Sequence, residues 1–264
     1  MQRLIDWLTA DLDNVQGYID DFLVFSATPE EHEAHLRQIF QKLHDVGLKI
    51  NLKKTVLGRA EVKFCGYLIS DDGIRPPPEK LDAIKNYLNP TTVKGLKSFL
   101  GAVNFYRDAI PNFATIAAPL HKFLQGKKPR FAPLVFDKEA DVAFDNLELA
   151  LCNHATLAHP RSNADTLLVS DASNVGCGAS IMQRIDNTWR PITFFSKSFS
   201  PAQCKYSTFS RELLGLYLAV KHFHHYFEGN PDMIMHCDHE PLVKAFYFRK
   251  RFVITVHDHV TNLL

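Results

Sequence analysis

The stretch that decides the fold is Tyr18-Ile19-Asp20-Asp21-Phe22-Leu23-Val24-Phe25-Ser26. Short apolar runs typical of β-strands flank the Asp20–Asp21 pair, so the pattern predicts a β-hairpin that carries an acidic pair. Adjacent carboxylates repel each other, and a divalent cation removes that repulsion. Oxygen ligands of this kind suit Mg²⁺. A solvated turn is the alternative interpretation of an aspartate pair, and the apolar flanks favour the metal site.

The residues after this stretch predict a helix followed by strands. Thr28 is a good N-cap, Glu31 completes a capping box, and Gly47 suits the end of the helix. Residues 48–52 and 62–70 are then predicted to be two strands. The first part of the chain is therefore expected to be mixed α and β structure.

Helical periodicity dominates from Pro78 to about Leu124. One helix begins near Pro78, a second is capped by Thr92, and a third ends near Leu124. A Gly-, Pro- and Lys-rich segment over 125–133 predicts a linker, and its basic residues are interpreted as solvation or as a phosphate site. A further helix is predicted from about Lys138 to Leu151.

The last part of the chain predicts a second sheet that carries three separated acids. Strands over 166–171, 178–184 and 189–196 precede a helix from Ser207 to Phe227, a strand over 233–238 and a helix over 241–248. This order is typical of α/β structure. Three acids lie at element ends or on the long helix: Asp171, Glu212 and Asp238. They can converge at one sheet edge and hold two metal ions, or they are ordinary caps and turns.

Composition excludes several classes of protein. The 264 residues are 46% hydrophobic and 22% charged, which excludes a mostly disordered or collagen-like chain. A net charge of +1 gives no nucleic-acid signature by itself. No apolar run is long enough to span a bilayer, and no signal-peptide pattern precedes Trp7. The five cysteines are far apart, which favours free thiols in a reducing compartment.

Together these motifs resemble the Pol polyproteins of Ty3/gypsy-class long-terminal-repeat retrotransposons. The Tyr-Ile-Asp-Asp hairpin resembles that of reverse transcriptases, and the segment Phe64 to Ser70 is similar to the primer grip of that family. Segments of the second half resemble the ribonuclease H domain that follows it: Asp171-Ala172-Ser173, Phe195-Ser196-Lys197, Arg211-Glu212-Leu213-Leu214 and Asp238-His239-Glu240-Pro241-Leu242.

The resemblance implies a fold, in five parts. It is an α/β chain, with the α+β palm and helical thumb of a reverse transcriptase followed by a ribonuclease H-like domain with a mixed sheet. The implied parts are a partial palm (1–75), a thumb-like helical region (76–124), a connection (125–160), a ribonuclease H-like domain (161–248) and a divergent tail (249–264).

The resemblance also implies cofactors and site residues. Asp20 and Asp21 are implied as polymerase ligands, and Asp171, Glu212 and Asp238 as ribonuclease H ligands, for Mg²⁺ or Mn²⁺. The implied contacts with primer–template and RNA–DNA hybrid are Tyr18, Phe64, Gly66, Tyr67, Lys94, Lys97 and Arg107. A solvated helix face is the alternative interpretation of the three basic residues. Gly176 and Gly178 are implied to permit a tight turn and close backbone packing.

Several departures from the family pattern shape the expectations. The family polymerase uses a third aspartate on a strand before the hairpin, so we expect no DNA polymerisation by this chain alone. The resemblance fades after Phe246, and Asp258 is not assigned the family's fourth acidic role. Cys237 stands where the family commonly has Thr, and Glu240 where it commonly has a basic residue. Glu240 is expected to weaken phosphate contact.

The expected function is therefore that of part of a reverse transcriptase and ribonuclease H, which act by two-metal phosphoryl transfer. The expected partners are primer–template, RNA–DNA hybrid and other segments of a Pol polyprotein, with no membrane. The expected location is intracellular, in the cytoplasm, a virus-like particle or the nucleus. The alternatives are a non-catalytic nucleic-acid-binding remnant and a degenerate open reading frame.

Overall fold

Residues 1–228, 233–247 and 254–255 are described by a computed structural model of the chain. The chain divides into two units, Met1–Asp72 and Gly73–Leu264. Within the described residues, no helix is both long and apolar enough to cross a membrane.

The first unit combines two hairpins with two helices. Its elements are α1 (Gln2–Thr9), β1 (Val15–Tyr18), β2 (Asp21–Val24), α2 (Pro29–Asp45), β3 (Glu61–Phe64) and β4 (Tyr67–Ser70). Its core is formed by buried side chains from α1, β1 and α2, namely Ile5, Leu8, Val15, Ile39 and Leu43. Because apolar burial is the main favourable term in folding, this cluster holds both helices against the first hairpin.

The first hairpin confirms the prediction made from its apolar flanks. β1 and β2 are antiparallel, with Tyr18 opposite Asp21, so Ile19 and Asp20 form the turn. Gly17 lies in β1, and a Cβ atom there would be 2.1 Å from Ile5 Cγ2. Only glycine therefore allows α1 to lie this close to the strand.

Helix α2 also follows its sequence signals. The Thr28 hydroxyl accepts a hydrogen bond from the Glu31 backbone N–H at 3.2 Å. Gly47 ends the helix region with a φ of 74°, a left-handed conformation that glycine adopts without strain. The strand predicted over 48–52 was wrong, because Ile50 and Leu52 are exposed and the segment has no buried alternating face.

The strand predicted over 62–70 is instead a hairpin. β3 and β4 pair antiparallel, with Phe64 opposite Tyr67. Cys65 and Gly66 have φ values of 49° and 83°. Two consecutive left-handed residues form the tight turn that reverses a strand, so the apolar run folds back on itself.

The second unit has helices followed by a sheet. Its elements are β5 (Gly73–Arg75), α3 (Pro78–Lys85), α4 (Val93–Asn104), α5 (Phe113–Lys122), α6 (Lys138–Cys152), β6 (Thr166–Ala172), β7 (Gly176–Ile185), β8 (Thr188–Ser198), α7 (Thr208–His222), α8 (His224–Phe227), β9 (Ile234–Cys237), α9 (Glu240–Tyr247) and β10 (Ile254–Thr255). Phe99 of α4 stacks on Phe144 of α6, with ring centroids 4.3 Å apart. This stacking ties the helical region together.

The sheet of the second unit is mixed, which confirms the predicted fold class. Its strand order is β10-β9-β6-β7-β8. β9 runs parallel to β6 and to β10, whereas β6, β7 and β8 are antiparallel neighbours. One face packs against α7 through a core that includes Leu168, Ile181, Leu216 and Ala219. The division of the chain into five parts stays a prediction.

The predicted helix from Ser207 to Phe227 is interrupted. α7 ends at His222, and α8 begins at His224 after Phe223, whose φ and ψ are −95° and 18°. Phe223 is only 1% exposed, so its ring is held in the core at the break. In the predicted tail, Ile254–Thr255 forms β10. Asp258 lies outside the described residues.

Candidate metal centre

Two parallel strands bring predicted acids to one edge of the second sheet. Ser170 of β6 is in register with Cys237 of β9. Asp171 follows Ser170, and Asp238 follows Cys237. Because parallel strands end at the same edge, the two aspartates belong to one region of the surface.

Helix α7 brings Glu212 to the same edge. The helix begins at a cap, where the Ser207 hydroxyl accepts the Ser210 backbone N–H at 3.2 Å. Gly215 lies about one turn after Glu212, and a Cβ atom there would be 3.1 Å from Cys177 Cβ and 3.4 Å from Ala172 Cβ. The missing side chain lets the helix approach the sheet. Gly215 is a positioning residue that sequence reasoning missed.

The turn between β6 and β7 is held by a hydrogen bond to a serine side chain and by close packing at two glycines. The Ser173 hydroxyl accepts the Gly176 backbone N–H at 3.1 Å. A Cβ atom on Gly176 would lie 2.8 Å from Lys197 O, and one on Gly178 would lie 2.3 Å from Asn112 Oδ1. The contact at Gly176 confirms the close backbone packing expected there, whereas the close neighbour of Gly178 is a side-chain oxygen.

Burial and like charge disfavour ionised carboxylates at this edge. Glu212 is only 5% exposed. Desolvation, followed by the charges of Asp171 and Asp238, raises the pKa of Glu212 to about 7. Desolvation and then the Asp238 charge also raise the pKa of Asp171. A cation bound here would relieve both effects, so this donor set fits a divalent metal.

A thiol is part of this centre. Within the described residues, Glu212, Cys237 and Asp238 each offer a ligand atom, and the three atoms lie within 4.8 Å of one another. Asp171 lies outside that tight group but acts on Glu212 through its charge. Burial raises the pKa of Cys237 to about 11. Sequence reasoning missed the thiol of Cys237 as a ligand. The signal that could have indicated it is the cysteine at a position where the family commonly has Thr.

The hairpin acids occupy a different environment in the first unit. Asp20 and Asp21 are both exposed to solvent. The Gln2 side chain holds the turn, since its Oε1 accepts the Ile19 N–H at 2.8 Å and its Nε2 donates to Gly17 O at 3.2 Å. Gln2 is a second positioning residue without a recognisable sequence signal.

A cleft of about 630 Å³ in the first unit brings three predicted residues together. Asp20, Asp21 and Phe64 all line it. Tyr18 is 53% exposed on the hairpin, and Gly66 forms the turn of the second hairpin. Among the described residues, no third carboxylate, thiol or imidazole joins Asp20 and Asp21 in a group of metal-ligand geometry.

The predicted basic contacts have different surroundings. Lys97 is exposed on α4, and the Lys94 ammonium lies 5.6 Å from the centre of the Phe131 ring. The Arg107 guanidinium instead donates to the Ser196 backbone carbonyl and lies 5.6 Å from the centre of the Phe113 ring. Arg107 therefore has internal partners that join the helical region to the sheet.

Glu240 also has a partner, at the i,i+4 spacing that favours ion pairs on a helix. Its carboxylate pairs with the Lys244 ammonium four residues later on α9. The hydrogen bond from Lys244 lowers the pKa of Glu240. The lysine charge offsets the carboxylate that was expected to weaken phosphate contact.

Comparison with known proteins identifies two segments of the chain. Residues 1–69 match the family model described as reverse transcriptase (RNA-dependent DNA polymerase). Residues 136–234 match the model described as an RNase H-like domain found in reverse transcriptase. The chain is 33% identical over 235 residues to the retrovirus-related Pol polyprotein from transposon opus of Drosophila melanogaster. The chain belongs to the retrotransposon Pol family.

Further relatives confirm the Ty3/gypsy-class prediction. The Pol polyprotein from transposon 297 of D. melanogaster is 35% identical over 225 residues, which cover 85% of this chain and 20% of that relative. The transposon Tf2-3 polyprotein of Schizosaccharomyces pombe is 33% identical, over 87% of this chain and 17% of the relative. The opus match covers 86% of this chain and 23% of that polyprotein. The Pol chain thus spans about a fifth of the length of these relatives.

Solved structures agree with the fold. A foamy viral protease-reverse transcriptase in complex with double-stranded DNA is similar with a TM-score of 0.83 and 21% identity, over 97% of this chain and 48% of that one. Another, in complex with RNA/DNA hybrid, has a TM-score of 0.82 and 22% identity, over 99% of this chain and 38% of that one.

Proposed function

We propose that the ribonuclease H-like part of this Pol chain cleaves the RNA strand of an RNA–DNA hybrid. The observation that carries the proposal is the meeting of a buried glutamate with the strand-end acids Asp171 and Asp238, in a domain that matches the RNase H-like family. Glu212 would hold a divalent cation from the helix side, and the two aspartates would hold it from the sheet edge. The Lys94 and Lys97 ammonium groups are proposed to contact phosphates, which would make binding depend on salt.

The cofactor proposed for this centre is Mg²⁺ or Mn²⁺. When bound, the metal would activate the attacking water and stabilise the leaving oxygen of the RNA strand. The residues of the chain would fix its position: Ser207 and Gly215 set the approach of α7, and the Ser173 turn sets the end of β6. The exposed Asp238 leaves the centre open towards solvent and a phosphate backbone.

We also propose that Asp20 and Asp21 are metal ligands of the polymerase in a longer Pol polyprotein. The family match over residues 1–69 and the shared cleft with Phe64 support this proposal. Tyr18, Gly66 and Tyr67 are proposed to contact primer–template beside it. Among the described residues no third carboxylate joins this pair in a group of metal-ligand geometry, so the chain alone is expected not to incorporate nucleotides. Template-directed incorporation by the purified chain would contradict this expectation.

The proposed location is intracellular, in the cytoplasm, a virus-like particle or the nucleus.

The hydrolytic proposal is tested with a labelled RNA–DNA hybrid and Mg²⁺. Asp171→Asn and Asp238→Asn should each lower the cleavage rate by more than about 100-fold, because even residues that only orient metal ligands contribute 10–100-fold. Asp145→Asn removes an exposed carboxylate on α6 and should leave the rate unchanged. Salt-sensitive binding of the hybrid without cleavage would contradict the proposal and favour the non-catalytic remnant.

A further inference from the structure

The tight donor group at the sheet edge contains a sulfur atom. Cys237 Sγ lies 4.0 Å from Glu212 Oε2, and the thiol is oriented to donate to that oxygen. Cys237 is 2% exposed and Glu212 5% exposed, while Asp238 is open to solvent. A cation can therefore enter from the Asp238 side and meet the other two donors below it.

A buried hydroxyl beside this group has no partner. Ser170 is 3% exposed, and its Oγ has no hydrogen-bond partner among the described residues. Ser170 is in register with Cys237 on adjacent parallel strands, so the two side chains lie on the same face of the sheet. Because a buried polar atom without a partner costs free energy, this hydroxyl is a second sign of a polar ligand at the position.

The donor chemistry differs from that of a magnesium site. Mg²⁺ prefers oxygen ligands, whereas thiolates select softer cations. In tetrahedral zinc sites the bonds are about 2.3 Å to sulfur and about 2.1 Å to oxygen, which separates those two ligand atoms by roughly 3.6 Å. The observed 4.0 Å between Cys237 Sγ and Glu212 Oε2 needs only a small closure.

We propose that Cys237, Glu212 and Asp238 form a site for a thiophilic divalent cation such as Zn²⁺ or Cd²⁺, which competes with Mg²⁺ for this edge of the sheet. The inference deepens the proposed function, because it assigns a competing cation to the same centre. On binding, the thiol releases its proton to bulk water and the sulfur forms the bond to the metal. A thiophilic cation bound here would take two carboxylates away from hybrid cleavage.

The test is a Cd²⁺ titration that follows the thiolate-to-cadmium charge-transfer absorbance. The starting protein is the full chain with its two exposed thiols replaced, by Cys65→Ser and Cys152→Ser. It should bind one equivalent of Cd²⁺, and a large excess of Mg²⁺ should not remove the absorbance. Displacement by Mg²⁺ at concentrations equal to that of Cd²⁺ would overturn the proposal.

Three variants locate the site. Cys237→Thr should abolish the absorbance and weaken Cd²⁺ binding by at least about 10-fold. Cys177→Ser, the matched control, replaces an equally buried thiol outside the donor group and should leave both unchanged. Glu212→Gln keeps the thiol and should weaken binding by about 10–100-fold.

The outcomes separate this site from the proposed function. Absorbance that persists in Cys237→Thr overturns the proposed cation site. If Cys237→Thr does not fold, unchanged Cd²⁺ affinity in Glu212→Gln overturns the site instead. A chain that shows the Cys237-dependent absorbance but never cleaves hybrid in Mg²⁺ refutes the function and keeps the site. Cleavage without Cys237-dependent absorbance refutes the site alone.

Discussion

The two acidic centres of this Pol chain differ in how the fold treats their charge. Asp20 and Asp21 lie exposed on a hairpin. Hydrogen bonds between the hairpin backbone and the Gln2 side chain hold its turn. Glu212 lies 5% exposed between a helix and a sheet edge, near two further carboxylates. Solvent screens the charges of the first pair, whereas burial makes the ionised carboxylates of the second centre costly in free energy.

The comparison teaches that the same ligand chemistry can be built with or without a cost to stability. Exposed aspartates at a hairpin turn need no counter-ion for the hairpin to form. A buried glutamate makes the second unit sensitive to pH and to metal. We therefore expect conditions that change the charge of carboxylates to act on the second unit far more than on the first.

The largest expected effect on stability is a pH dependence that depends on Glu212. Its pKa is about 7 in the folded chain against 4.5 for a free glutamate. Between these values Glu212 binds its proton more fully in the native state than in the unfolded state, so its contribution to the free energy of unfolding falls as pH rises. In the metal-free chain we expect Glu212 to contribute a loss of about 2–3 kcal/mol between about pH 5 and about pH 8.

Urea unfolding in the presence of a chelator measures this effect. Glu212→Gln should remove the part of the dependence that Glu212 contributes. In that variant the raised pKa of Asp171 leaves a slope of the same sign. Burial lowers the pKa of His121, His154 and His222, which leaves a slope of the opposite sign. Asp145→Asn, which removes an exposed carboxylate, should keep the full dependence. The same pH dependence in the wild-type chain and in Glu212→Gln would refute the account of the buried centre.

The next effect compares two glycines that lie in different surroundings. Gly17→Ala puts a methyl group against buried Ile5 of α1, so we expect it to destabilise the first unit by about 2 kcal/mol. Gly101→Ala on α4 meets no atom within 4 Å. It should stabilise its helix by about 0.5–1 kcal/mol through helix propensity. Equal effects of the two substitutions on urea unfolding would contradict the close approach of α1.

Sequence reasoning predicted those parts of the fold whose signals are local. The hairpin at Asp20 and the cap at Thr28 followed from apolar runs and capping residues. The strand predicted over 48–52 failed because the chain leaves Leu52 exposed, and exposure depends on distant packing. The turn at Gly66 was missed because an apolar run over 62–70 masks a left-handed pair.

The candidate centre shows the same division between local and distant information. The strand-end acids Asp171 and Asp238 could be singled out from strand and helix patterns. The donor role of Cys237 could not, because it depends on the parallel register of β9 with β6 and on the approach of α7. Gly215 and Gln2 act through contacts that no periodicity encodes.

Metal linkage provides a smaller effect that sharpens the comparison. Mg²⁺ at ten times its dissociation constant should stabilise the second unit by about 1.4 kcal/mol at neutral pH. The exposed pair Asp20–Asp21 has no third donor nearby among the described residues, so the first unit should gain much less. Hydrogen exchange distinguishes the two units, with slower exchange expected in peptides from β6 but not in peptides from β1. Equal protection in both would show that the hairpin pair binds Mg²⁺ without further ligands.

The smallest effect comes from removing one helix cap in each unit. Ser207 and Thr28 each accept a backbone N–H at 3.2 Å, so Ser207→Ala and Thr28→Ala should each cost about 1 kcal/mol of unfolding free energy. Only Ser207 caps the helix that carries Glu212, since Thr28 caps α2 in the first unit. We therefore expect Ser207→Ala to weaken Mg²⁺ binding as well, and Thr28→Ala to leave it unchanged. If calorimetry finds equal Mg²⁺ affinities in both variants, the first turn of α7 does not position Glu212, and close packing at Gly215 alone sets the geometry of the centre.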